Sequence, residues 1–125
     1  MKWFSILKSI IKFSFILLMV DLVYLTLMTG HFKKLVKDIQ KSELNLKLVP
    51  TFFVYVSIVM SWYLFVERNS KQKVQDSFML GVLMYGMYDL TNYAIFKNWD
   101  IKTVIIDTLW GGTLYSLSTY IYTTI

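Results

Sequence analysis

Apolar residues gather in four long segments that are separated by polar stretches. The segments cover about residues 9–29, 48–66, 78–96 and 103–123. Each is close to the ~20 residues with which a helix crosses the ~30 Å hydrocarbon layer of a bilayer. The fourth segment becomes rich in Thr, Ser and Tyr after Gly112 and is the least apolar. The pattern predicts four transmembrane helices.

The connection between the first two segments has a pattern of its own. Phe32, Leu35, Val36 and Ile39 fall at helical spacing, with lysines around them. This arrangement predicts a short amphipathic helix that lies in the headgroup layer after the first span. In the short connection before the fourth segment, Trp99 is expected to anchor the turn at the membrane interface.

These elements predict an all-α fold, a membrane bundle of four transmembrane helices with a short interfacial amphipathic helix after the first. Residues 1–125 are expected to form a single integral membrane domain, so the protein is predicted to be a multi-pass membrane protein. Six basic residues fall on one side of the predicted topology and seven on the other. The positive-inside rule therefore assigns no orientation.

Composition agrees with this prediction. The chain of 125 residues is 56% hydrophobic and 18% aromatic, with a mean hydropathy of +0.51. A soluble domain of this size could not hide so much apolar surface in its own core. Apart from Lys12, the basic residues behind the net charge of +5 lie outside the apolar segments, which favours contact with lipid headgroups over nucleic acid.

The chemistry available to the chain is restricted. It contains no cysteine, which excludes disulfides and thiolate metal sites. It contains no phosphate-binding loop, dinucleotide fingerprint, paired histidines or nucleophile elbow. We therefore predict no cofactor and no metal site, and we favour a binding or transport protein over an enzyme.

Three aspartates interrupt the apolar segments. A carboxylate at the centre of a membrane helix costs roughly 2.5–3.5 kcal/mol on insertion scales, so Asp21, Asp89 and Asp107 require an explanation. Counted at 1.5 Å per residue, they lie about 12, 10 and 6 Å from the same side of the predicted bundle. We expect the three acids to share one half of the membrane.

Other polar side chains lie on the helical faces of these acids, and no Lys or Arg follows Lys12 within the apolar segments. Ionised acids brought together in a low dielectric repel one another and lose hydration. We therefore expect at least one acid to be protonated near neutral pH, or the cluster to hold a cation, a cationic ligand or a partner's basic residue. The predicted ligand- or proton-binding residues are Asp21, Tyr24, Tyr85, Asp89, Asn92, Asp107 and Trp110.

Simpler explanations exist for individual residues. Polar groups in membrane helices also serve only to hold a bundle together. Asp107 could be a first-turn residue that the helix dipole favours, and the Gly111–Gly112 pair could mark a close helix contact. The second segment, with only Ser57 and Ser61 on one face, is predicted to be scaffold.

The segments MVDLVYL, YGMYDLTNYA and IIDTLWGG, together with the tryptophan of the turn, resemble a family of small predicted integral membrane proteins of unknown function. The resemblance covers about residues 13–117. It implies a four-helix membrane domain and supplies no reaction. The positions that match the family are Asp21, Tyr24, Asp89, Asn92, Asp107 and Trp110.

The predicted function is binding or transport of a small polar or cationic solute, or of protons. Asp89 and Asp21 would exchange protons against the ligand, Asn92 and Tyr24 would orient it, and Asp107 and Trp110 would close the site. One alternative is a membrane-embedded enzyme that uses a carboxylate as general acid or base on lipid. The other is an accessory subunit of a membrane complex. The expected partners are membrane lipids, the solute, and a second copy of the chain or another membrane subunit.

Overall fold

The computed structural model describes residues 2–42 and 46–125, and these residues contain helices and no strand. The second helix continues into a π-helical turn, Tyr63–Glu67. The all-α fold with four helices is therefore confirmed. The helices are α1 (Lys2–Gln40), α2 (Leu48–Trp62), α3 (Lys73–Ile95) and α4 (Ile101–Thr124).

The predicted interfacial helix is not a separate element. Residues 32–39 continue α1 without interruption, and α1 ends at Gln40, before Lys41 adopts a positive φ of 61°. The apolar side chain of Leu35 packs with Trp99 and Val104 at the start of α4. The prediction of a separate helix was wrong, because residues 32–39 continue α1 and their residue Leu35 has a protein partner. Trp99, which we expected to anchor the turn, is 6% exposed and belongs to the same contact.

The start of α4 is fixed by Asp100. Its carboxylate accepts a hydrogen bond from the backbone N–H of Thr103 at 2.6 Å, as an N-cap residue does. Hydrogen bonds from Thr103 lower the pKa of Asp100 below its ordinary value. Asp107 lies seven residues further along, beyond the first turn. The dipole explanation for Asp107 is therefore wrong.

Helices α3 and α4 pack at very short distance through glycines. A Cβ atom on Gly81 would collide with the backbone carbonyl of Gly111, and one on Gly111 would collide with the ring of Tyr85. A Cβ on Gly112 would meet Phe78 and Val82. The close helix contact considered for the Gly111–Gly112 pair is therefore present.

The distribution of side chains is inverted relative to a soluble protein. Large apolar residues such as Phe15 (67% exposed) and Leu83 (65%) cover the outside, whereas Asp89 and Ser118 are fully buried. Two helical stretches, Lys2–Gln40 and Leu48–Glu67, are long and apolar enough to cross a membrane. Only 22% of the most apolar window of each is buried, so their apolar side chains mostly face outward. This arrangement fits a lipid environment.

Candidate functional site

The carboxylate of Asp21 joins three helices. It lies in the middle of α1 and is 4% exposed. It accepts a short hydrogen bond from the hydroxyl of Tyr55 on α2. Its second oxygen accepts one from the indole N–H of Trp110 on α4 at 3.1 Å. Both oxygens of this buried acid are thus satisfied by neutral donors.

Asp107 lies beside this group on α4. Its carboxylate accepts a hydrogen bond from the hydroxyl of Tyr24 at 2.9 Å. The ring of Tyr24 stacks on that of Trp110, with centroids 4.6 Å apart and planes within 8°. The stacked pair therefore donates to two acids at once, Tyr24 to Asp107 and Trp110 to Asp21. This contact fixes the two carboxylates next to each other.

Asp89 differs from the other two acids. It is fully buried on α3, and neither carboxyl oxygen has a hydrogen-bond partner among the described residues. Asp107 and the indole of Trp99 lie close to it. The Trp99 N–H and the hydroxyl of Thr108 are also buried, and neither has a partner in hydrogen-bond geometry in the part of the chain that the structure describes. Unsatisfied buried polar groups of this kind are rare and each costs free energy.

The remaining predicted residues differ in position. Tyr85 lies over Gly111 and is close enough to Asp21 and Asp107 to interact electrostatically with both. Asn92 is half-buried, one turn beyond Asp89 on α3, and its side chain makes no hydrogen bond to the described residues. The structure thus brings six of the seven predicted residues together and leaves Asn92 beside them without a polar contact.

Two contributors escaped the sequence analysis. Tyr55 was overlooked because α2 contains no acid, and the segment predicted to be scaffold supplies a donor to Asp21. Trp99 was considered only as an interfacial anchor, and its indole lies close to Asp89. The only sequence signal for Tyr55 was a phenol within an otherwise apolar segment. A buried phenol usually finds a hydrogen-bond partner, but the sequence does not say which one.

The arrangement suits chemistry with protons and small cations. We call Asp21, Asp89 and Asp107 the acid cluster. Its polar neighbours are phenols and indoles, which donate hydrogen bonds and present electron-rich faces. Within residues 2–42 and 46–125, no basic side chain forms an ion pair with the three acids. Among the described residues, no three His, Cys, Asp or Glu side chains are grouped so that they could hold a metal ion.

A crevice between α1 and α2 lies next to the acid cluster. Its volume is about 210 Å³, and its exposed lining is almost entirely apolar. Leu17, Val59 and Phe52 form part of its walls, and Tyr55, the donor to Asp21, lines it as well.

The chain is helical, with apolar side chains outside, carboxylates inside and two helices able to cross a bilayer. It therefore belongs to the class of predicted membrane proteins. Residues 6–124 match the model of the family described as "Predicted membrane protein (DUF2177)", and the chain belongs to this family. The resemblance drawn from the sequence motifs is thereby confirmed. No curated protein and no solved structure matches the chain.

Proposed function

We propose that this is a multi-pass membrane protein in which all four helices cross the bilayer and whose acid cluster binds a proton or a small cation. The lengths of α3 and α4, 23 and 24 residues, correspond to about 35 Å of helix, enough to span the hydrocarbon layer. Their polar residues Asp89, Asp107 and Ser118 are buried, and lipid-compatible side chains such as Leu83 and Leu109 are exposed. Part of the polar content of these helices therefore lies on their inner faces.

The state of Asp89 is the observation on which the proposal rests. An ionised carboxylate that is buried without a partner is strongly unfavourable, and the usual remedies are protonation or a bound cation. Both oxygens of Asp21 and one oxygen of Asp107 accept hydrogen bonds, whereas neither oxygen of Asp89 has a partner in hydrogen-bond geometry among the described residues. Asp89 is therefore the acid that takes up the proton or cation, and its neighbour Asp107 is the next acceptor.

Infrared difference spectroscopy on the purified full-length chain tests the proposal. We expect a protonated carboxyl band near neutral pH that disappears in Asp89→Asn. Asp76→Asn is the matched control, because Asp76 lies in the first turn of the same helix and is exposed. It should leave the band unchanged. If all carboxyl groups instead titrate like free aspartate, near pH 3.9, the acid cluster is hydrated and the proposal fails.

If the protonated band is present, adding a permeant monovalent cation distinguishes the two ligands. A site that exchanges its proton for the cation loses the band at constant pH in a concentration-dependent way. A dedicated proton site keeps it. Asp107→Asn should shift the midpoint of the Asp89 band in either case, because the two carboxyl groups interact directly.

A second candidate function is binding of a lipid chain, with Asp21 as an acid or base towards it. The apolar crevice between α1 and α2 favours it, since Tyr55 connects that crevice to Asp21. Filling the crevice with Val59→Trp should abolish co-purification of a bound lipid in native mass spectrometry. Val54→Trp on the exposed side of the same helix should not. Equal lipid retention in both variants would exclude the crevice as a lipid site.

A further inference from the structure

One face of α4 carries polar residues along most of the helix. Asp107, Tyr115, Ser118 and Tyr122 follow one another at helical spacing, with Gly111 completing the series. Asp107, Tyr115 and Ser118 are buried, and Tyr122 is half-buried. We call these four polar residues the polar stripe. From Asp107 to Tyr122 it covers 15 residues, or about 22 Å, most of the thickness of the hydrocarbon layer.

Gly111 lies between Asp107 and Tyr115 on this face and offers no polar side chain, and a residue of α3 occupies the space. Because Gly111 has no side chain, the ring of Tyr85 lies directly against it. Tyr85 interacts electrostatically with Asp107 on one side and with Tyr115 on the other. From α2, the hydroxyl of Ser61 forms a hydrogen bond with that of Tyr115 at 3.1 Å. Tyr85 therefore lies between Asp107 and Tyr115, and a hydroxyl pair from α2 and α4 lies beyond it.

Ser118 is the unusual member of the polar stripe. It is fully buried, and its hydroxyl has no hydrogen-bond partner among the described residues. Most other serines and threonines of α4, such as Thr113 and Thr119, bond to a backbone carbonyl one turn back. Ser118 therefore does not contribute a hydrogen bond to the fold. Ser118 lies one helical turn from Tyr115 and one from Tyr122 along the same face of α4.

The π-helical turn after α2 places Glu67 beside Tyr122, the last residue of the polar stripe. The N–H of Arg68 donates to the carbonyl of Tyr63 at 3.0 Å, five residues back, as a π-turn requires. Because about five residues complete this turn, Trp62 and Glu67 face the same way, towards α4. Trp62 donates to the hydroxyl of Thr119 at 2.9 Å. Such turns in helices frequently occur at functional sites.

Glu67 closes the series near the surface. Its carboxylate accepts a hydrogen bond from the hydroxyl of Tyr122 at 2.8 Å. It also forms an ion pair with the ammonium group of Lys73 at 2.6 Å. Its side chain is 17% exposed, so water reaches it. Lys12 lies 4.5 Å from the centre of the Tyr122 ring and donates to the Tyr122 carbonyl. A carboxyl group therefore lies at each end of the polar stripe, that of Asp107 at one end and that of Glu67 beside Tyr122 at the other.

We propose that the polar stripe is a proton path that connects the acid cluster with Glu67 across the bundle. Hydroxyl groups both donate and accept hydrogen bonds, as a proton path requires. In each transfer one O–H bond breaks as the next O–H bond forms, so each group passes on one proton for each it receives and the chain is unchanged. The inference rests on the proposed function, because it identifies the proton as the ligand that the acid cluster exchanges.

Proton uptake into liposomes that contain the full-length chain tests the path. A pH-sensitive dye inside the liposomes reports proton entry driven by a potassium diffusion potential. We expect the wild-type protein to carry protons and Ser118→Ala to slow entry about tenfold, the loss that corresponds to one hydrogen-bonding group. Ser57→Ala, on the exposed side of α2, should have the wild-type rate.

Ser118→Ala is a sharp test because it should not disturb folding. The Ser118 hydroxyl makes no hydrogen bond that the variant could lose, and its removal from a buried site is neutral or stabilising. Tyr115→Phe should slow entry too, whereas Tyr120→Phe, on the exposed face of the same helix, should not. If wild-type liposomes carry no protons, or Ser118→Ala and Tyr115→Phe carry them at the wild-type rate, the path is refuted.

The infrared experiment separates this inference from the proposed function. If the Asp89 band is present and the liposomes carry no protons, the acid cluster binds a proton and the polar stripe is only structural. If proton entry depends on Ser118 and no Asp89 band exists, the path operates and the assignment of Asp89 is wrong.

Discussion

The close contact between α3 and α4 allows a quantitative prediction for Gly81→Ala. The new methyl group would collide with the backbone carbonyl of Gly111. Overpacking of this kind typically costs ~1–3 kcal/mol, and the upper end applies because a helix backbone cannot rotate away as a side chain can. Alanine also gains roughly 0.8–1.0 kcal/mol over glycine from helix propensity. We therefore expect Gly81→Ala to lower the free energy of unfolding by about 1–2 kcal/mol.

Gly30→Ala is the matched control, since no described atom outside the backbone of its own helix turns lies within 4 Å of the position that its Cβ would occupy. It should raise the free energy of unfolding by the helix-propensity difference between alanine and glycine alone. The difference between the two variants then isolates the packing cost, about 2–3 kcal/mol. Equilibrium unfolding in mixed detergent micelles, followed by circular dichroism, measures both. If the two variants differ by less than about 0.5 kcal/mol, the range typical of surface changes, α3 and α4 do not approach each other as closely as described.

Two further predictions concern hydrogen bonds elsewhere in the fold. Asp100→Ala removes the cap of α4 and should cost about 0.5–2 kcal/mol, whereas Asp100→Asn should keep the cap. The pKa of Asp100 is lowered in the folded state. Its contribution to the free energy of unfolding is therefore full above its unfolded pKa of about 3.9 and is lost as the pH falls through the folded pKa. Unfolding measured from pH 7 to 2 should show this loss in the wild-type protein and not in Asp100→Asn. Trp62→Phe keeps a ring against Phe13 but loses the hydrogen bond to Thr119, and should cost about 1 kcal/mol in the same assay. No loss of stability would show that the bond to Thr119 does not stabilise the fold.

Sequence patterns predicted the helices well and the contacts between them poorly. The four apolar segments gave the helical class and the approximate positions of all four helices, because each segment is long and bounded by polar residues. They did not reveal that α1 continues through residues 32–39. An amphipathic pattern shows that one face of a helix is apolar, and it does not show whether lipid or protein covers that face. Here Trp99 and Val104 cover Leu35.

The same distinction applies to the candidate site. Asp21, Asp89 and Asp107 were recognisable from sequence, because an acid in an apolar segment is costly wherever the helices lie. Their depth could be counted along each helix. The donors could not be assigned, since a phenol such as Tyr55 has the same sequence context whether it bonds to an acid or faces lipid. Asp89 without a partner is likewise a property of the packed bundle.

The sequence by itself determined that the chain is helical, that its surface is too apolar for a soluble domain and that three acids must be accommodated inside. These properties follow from composition and periodicity, which do not depend on contacts. Only the tertiary structure decided which acid lacks a donor, that Tyr55 and Trp110 satisfy Asp21, and that a π-turn directs Glu67 to Tyr122. Each of these depends on the rotation of one helix against another, which side-chain packing across the bundle fixes and no single segment encodes.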